Sequence, residues 1–127
     1  LSIELNYSPV SVSIYGDINQ LQQVFLNMIL NAIDATADGG KIKITTTGVD
    51  DYAQIIFEDT GCGIVPEDLD KIFEPFFTTK SPGKGTGLGL SICYGIIEEH
   101  KGKISVSSNG IGKGTAFTIS LPIYEKT

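Results

Sequence analysis

The sequence predicts an α+β fold: a two-layer sandwich in which a mixed, mostly antiparallel sheet of about five strands carries three helices on one face. Three observations predict it. Segments such as 41–48 (KIKITTTG) alternate apolar and polar residues, the period of a sheet wetted on one side. Residues 18–37 and the stretch from Gly87 to about residue 100 read as long helices. No internal repeat or low-complexity linker divides the 127 residues, so one domain over 1–127 is the default.

In chain order, 2–7 (SIELNY) and 10–15 (VSVSIY) read as half-buried strands separated by Ser8-Pro9. Asp17 is placed to cap the first long helix, Gln20 completes a capping-box pattern, and Gly39-Gly40 stop it. Strands 41–48 and 52–58 follow, joined at Val49-Asp50-Asp51. Pro66 suits the first turn of a short helix, 66–72. Residues 73–86 (FEPFFTTKSPGKGT) have no period, and loops of this length are usually functional or disordered. The second long helix ends near Lys101-Gly102, and strands 103–108 and 115–121 finish the fold.

The net charge of −6 argues against a nucleic-acid groove and an anionic membrane surface, yet permits a phosphate ligand if a cation such as Mg²⁺ is bound with it. No run approaches the ~18 apolar residues of a membrane span. Cys62 and Cys93 form no metal spacing and no disulfide framework, and with His100 the only histidine a zinc site is not expected. The sparse cysteines fit a reducing compartment. The first residues resemble a strand already under way, so the chain is expected to be a domain of a longer protein.

Three stretches carry chemistry. On the first long helix, Leu21, Val24, Phe25, Met28, Ala32 and Ala35 share one face, and Leu26, Ile29, Leu30 and Ile33 continue it round the back. This leaves a narrow stripe of Gln20, Gln23, Asn27, Asn31 and Asp34. A surface helix would show Lys and Glu there, so amides on a helix buried on most sides suggest an internal polar site. A core helix whose amides meet backbone groups is the alternative. Asp59-Thr60-Gly61-Cys62-Gly63 ends a strand. Either Asp59 merely initiates a turn, or its carboxylate accepts from an exocyclic amine while the glycines let a flat ring approach. Gly83-Lys84-Gly85-Thr86-Gly87-Leu88-Gly89 opens the second long helix, where backbone N–H groups attract phosphate. It is neither a Rossmann fingerprint nor a Walker A loop, and a flexible hinge is the plain alternative.

Taken in this order, the motifs resemble the catalytic and ATP-binding domain of bacterial two-component sensor histidine kinases, in the gyrase, chaperone, histidine kinase and mismatch-repair ATPase superfamily. The N box is Asn27–Ala32, the first glycine box Asp59–Ile64, the F box Phe73–Phe77, the second glycine box Gly85–Leu90, and a last box Gly112–Thr115. FEPFFTTK leading into GTGLGL is most similar to the nitrogen-regulation type. The resemblance implies a Bergerat-type ATP-binding fold and a protein histidine kinase using ATP and Mg²⁺. Asn31 would be the metal ligand and Asn27, one turn earlier, would support the metal or its water, the two forming the catalytic pair. Asp59 would bind the adenine amine, Thr115 would help through a water, and Gly61, Gly63 and Ile64 would complete the base site. Gly85, Thr86, Gly87, Leu88 and Gly89 would meet the phosphates. Residues 74–86 would form an ATP lid, with Thr79, Lys80 and Lys84 reaching the nucleotide, Lys80 ahead of Lys84. Phe76 and Phe77 would anchor that lid, while Phe73 reads better as core.

One position separates the relatives. The superfamily's ATP hydrolases place a glutamate one turn before the metal-binding Asn, as general base for water; here Asn27 stands there, and an amide cannot take up the proton. Asp34 and Ala35 replace the basic and aromatic pair of many sensor kinases, leaving phosphate charge to Mg²⁺, the helix N-terminus and the lid lysines. His100, in EEHKGKI, lacks an acceptor-helix pattern and reads as a helix C-terminal residue favoured by the dipole. The expectation is a cytoplasmic, monomeric domain that binds ATP or ADP and phosphorylates a histidine on a separate dimerisation domain, upstream of a response regulator and with no nucleic-acid partner. An anti-sigma-type serine kinase and a non-catalytic nucleotide-binding module are the alternatives.

Overall fold

The computed structural model describes residues 2–6, 16–36, 40–49, 51–61, 63–64, 66–69, 71–74, 89–108, 110 and 113–123. Five strands, β1 (Ser2–Asn6), β2 (Lys41–Val49), β3 (Tyr52–Asp59), β4 (Lys103–Ser107) and β5 (Thr115–Pro122), form one sheet in the order β1-β2-β3-β5-β4. β1 and β2 run parallel, a pairing that requires a crossover, and helix α1 (Ile18–Ala35) lies between them in the chain. The other neighbours are antiparallel. The mixed, mostly antiparallel sheet is as the alternation predicts; the expected strand at 10–15 lies outside the described residues.

Alternation explains the core. Along β5, Thr115, Phe117, Ile119 and Leu121 are buried, while Ala116, Thr118, Ser120 and Pro122 are only partly covered. The register sets Phe57 opposite Phe117 and Ile104 opposite Ile119. Onto this face α1 brings Leu21, Val24 and Met28, and helix α2 (Gly89–Glu99) brings Cys93, Ile96 and Ile97. Phe73 closes the cluster edge-on against Phe117, centroids 6.3 Å apart, which makes it a core residue.

Asp17 caps α1 as predicted, its Oδ1 accepting from the N–H groups of Asn19 (2.9 Å) and Gln20 (3.1 Å). Two expectations need correction. The third helix, 66–72, is a single 3-10 turn, Pro66–Asp68, continued by i→i+3 bonds from Lys71 to Asp68 and from Glu74 to Lys71. So short a segment cannot offset helix nucleation by itself, and the buried Ile72 is what anchors it. Nor is α1 buried on most sides: Leu26, Leu30 and Ile33 are 56%, 47% and 37% exposed. Periodicity shows that a face is apolar, not that another element covers it.

Met28, 1% exposed, sits where α1 meets the sheet. Met28→Ala should destabilise the fold by about 2–5 kcal/mol, read as a lowered urea midpoint; an unchanged midpoint would contradict this packing.

Candidate functional site

Asp59 is the polar end of an apolar row. The two-residue alternation that carries Phe57 to the helix-facing side carries Asp59 there as well, paired with Ile42 of β2 and Thr115 of β5. The carboxyl is half-buried, and that burial pushes its pKa above the ordinary 3.8; backbone hydrogen bonds from Gly61 and, more weakly, Thr115 act in the opposite direction. The Gly61 N–H donates to Oδ1 at 2.9 Å. Thr60 holds the strand end flat, its N–H donating to the Lys41 carbonyl and its Oγ1 accepting from the Lys41 N–H (2.9 Å). A cavity of about 180 Å³ opens here, lined by Asp59, Ser108, Gly114 and Thr115 among others.

The glycines after Asp59 have an intramolecular reason. A Cβ on Gly61 would strike the carbonyl of Ala35, the last residue of α1. The end of α1 therefore rests directly on the turn that follows β3. Gly63 has φ +73°, and a Cβ there would strike the Gly110 carbonyl. At the end of this turn the Ile64 N–H donates to Ser108 Oγ at 3.0 Å. Ile64 itself is partly buried against the core.

That contact sets the C-terminal end of α1 beside the turn after Asp59, although no amide of the stripe lines the cavity there. Asn31 lies one turn before Ala35, and Asn27 one turn before that; both are half-buried, while Gln23 and Asp34 are exposed. The Nδ2 of Asn27 donates to Sγ of Cys93 at 3.5 Å, which leaves Oδ1 as the amide's metal-compatible atom. Burial raises the Cys93 thiol pKa, partly offset by this bond. Cys93 stands four residues, about 6 Å of helix, from Gly89, the first residue of α2. Thus the amide stripe, the carboxylate at the end of β3 and the start of α2 gather at one end of the sandwich. Amide oxygens are hard neutral ligands of the kind Mg²⁺ accepts.

Of the predicted residues, Asn27, Asn31, Asp59, Gly61, Gly63, Ile64, Gly89 and Thr115 are placed. Thr79, Lys80, Lys84, Gly85, Thr86, Gly87 and Leu88, with Phe76 and Phe77, lie outside the described residues. His100 lies at the far end of the helix pair, where its Nδ1 donates to the Ile96 carbonyl (2.7 Å) and its Nε2 accepts from the Asp17 N–H (3.0 Å). Through these two bonds the ring ties the end of α2 to the start of α1. A larger cavity, about 660 Å³, opens beside His100, but no predicted site residue lines it. Ser108 and Cys93 were missed as site neighbours. A serine in KISVSS looks like one more polar step of a strand; only the fold shows what it reaches.

A five-stranded sheet backed by two helices, with the C-terminal end of α1 resting on the turn after β3, defines a two-layer α/β sandwich. Residues 16–125 match the family described as histidine kinase-, DNA gyrase B-, and HSP90-like ATPase, and the chain belongs to that family. It is 49% identical over 113 residues to sporulation kinase E of Bacillus subtilis, covering 88% of this chain and 15% of that one. The solved catalytic domain of histidine kinase ThkA matches with TM-score 0.84 and 38% identity, covering 95% of this chain and 79% of that one. Full-length ShkA in complex with AMPPNP matches with TM-score 0.82 and 29% identity, covering 98% and 26%. The chain is a homologue of the ATP-binding catalytic domain of sensor histidine kinases, and it spans 13% to 28% of the length of the first curated relatives it matches.

Because the Asp59 pKa is raised on folding, its charge costs stability above the unfolded value near 3.8, and the cost vanishes at lower pH where both states are protonated. Asp59→Asn keeps an oxygen for the Gly61 N–H but removes the charge. Its thermal midpoint should match the wild type near pH 3 and exceed it as pH rises above the unfolded value near 3.8, levelling off once the raised folded-state pKa is passed. A midpoint below wild type at pH 7 would contradict the burial cost.

Proposed function

We propose that this domain binds ATP with Mg²⁺ and transfers the γ-phosphoryl group to a histidine on a separate dimerisation domain of the same protein, for relay to a response regulator. The observation that carries the reading is the pairing of Asn31 with Asn27, an amide held by Cys93 where a hydrolase of the superfamily would carry its general base. ShkA, a homologous fold solved with AMPPNP, supports nucleotide binding.

Each residue has a bounded task. Asp59 accepts a hydrogen bond from the adenine amine, and its half-buried setting strengthens that bond relative to water. Thr115, opposite it on β5, supports the base through a water. Asn31 and Asn27 would hold Mg²⁺ or its water through amide oxygens; the cation would offset charge on the phosphates. Gly89, the first residue of α2, offers its N–H group to the phosphates. Thr79, Lys80 and Lys84 are assigned to the nucleotide by the resemblance alone. In-line transfer rests on positioning and electrostatics, and the base that activates the acceptor comes from the partner domain. Residues 1–127 then act as one catalytic domain, monomeric when isolated and cytoplasmic in its parent protein. The FEPFFTTK…GTGLGL stretch supports the nitrogen-regulation type.

Two measurements test this. Asn31→Ala should weaken Mg-ADP binding at least ~10-fold while changing affinity in EDTA less than ~2-fold; equal loss in both would remove Asn31 from the metal. Incubated with labelled ATP and a separate acceptor domain, the chain should yield acid-labile phosphohistidine with almost no free phosphate. An acid-stable product would indicate a serine kinase, and none at all a binding module.

A further inference from the structure

Ser108, beyond the end of β4, belongs to none of the motif boxes, yet its hydroxyl is saturated. Oγ accepts from the Ile64 N–H at 3.0 Å and from the Gly110 N–H at 3.3 Å, and donates to the Gly114 carbonyl at 2.8 Å. These three partners lie on the two segments that flank Asp59. Ile64 ends the turn whose Gly61 N–H holds Oδ1. The Gly114 carbonyl shares one peptide plane with the Thr115 N–H, the second backbone group bonded to the Asp59 carboxylate. Gly114, at φ +77°, is pressed so closely on the strand end that a Cβ would strike the Asp59 carbonyl. Fixing the Gly114 carbonyl therefore fixes where the Thr115 N–H points. Fixing the Ile64 N–H fixes the far end of the turn that carries Gly61. Ser108 also lines the cavity beside Asp59.

We propose that Ser108 is a positioning residue for base recognition: by clamping the turn after β3 to the loop before β5, it aims the Asp59 carboxylate at the exocyclic amine of adenine. This rests on the reading of Asp59 given above. It assigns to a residue outside the motif boxes a share in choosing adenine over a base without the amine.

Calorimetric binding of ADP and of IDP, whose hypoxanthine lacks that amine, tests it. A hydrogen bond to a charged acceptor predicts a wild-type preference for ADP of at least ~10-fold. Asp59→Ala should abolish most of that preference. Ser108→Ala should cut it to about 3-fold or less, mainly through weaker ADP binding, with IDP affinity changed less than ~2-fold, and should add no further loss of preference on the Asp59→Ala background. Ser108→Thr, which keeps the hydroxyl, should restore most of it. If Ser108→Ala weakens ADP and IDP by the same factor and leaves the preference intact, Ser108 is only a structural tie and the proposal is overturned. A wild type without preference, or one whose preference survives Asp59→Ala, overturns the reading of Asp59 and Ser108's role with it. Should Ser108→Ala fail to fold by circular dichroism, Ser108→Cys, with its weaker hydrogen bonds, must show an intermediate preference; a wild-type value there overturns the proposal equally.

Discussion

Everything at the functional end depends on one close contact, the last carbonyl of α1 resting on Gly61. A side chain at Gly61 would push the helix end off the turn. With the contact in place, the end of α1 that follows Asn31 sits beside the turn after β3. The helix is held against the sheet by Leu21, Val24 and Met28, so core packing fixes how it arrives at Gly61. α2 joins through Cys93, which is at once a core residue and the partner of the Asn27 amide.

Asp59 shows how such a site is stabilised by its surroundings at some cost to itself. It occupies a position that the strand's alternation assigns to the core, and burial disfavours its charge. Two backbone N–H groups offset part of that. An apolar residue there would suit the sandwich better but would offer no acceptor beside the cavity. Local rules broken at an otherwise consistent place mark where structure serves function.

Much of this was legible in the sequence, for identifiable reasons. The cap at Asp17, the hairpin of β2 and β3 and the strand-end position of Asp59 all follow from local pattern or turn chemistry. What was not legible depends on tertiary partners. Leu26, Leu30 and Ile33 are in phase with an apolar helix but lie where no described element covers them. Residues 66–72 have helical residues but only a 3-10 turn, because one buried side chain and i→i+3 bonds organise them. The glycines after Asp59 look like room for a ligand, yet at Gly61 and Gly63 the space is taken by the chain's own carbonyls. Ser108 is 44 residues from the Ile64 N–H it accepts, beyond the reach of any local motif.

The central claim is that the amide stripe, the turn after β3 and the start of α2 form one nucleotide site. The most direct test is titration of the isotope-labelled chain with Mg-ADP, followed by nuclear magnetic resonance of backbone and side-chain amides. The account predicts the largest shifts at the Asn27 and Asn31 side chains and at the Gly61 and Thr115 backbone. Largest shifts at the opposite end, around Gly16, Asp17 and His100, with those four groups unmoved, would contradict it.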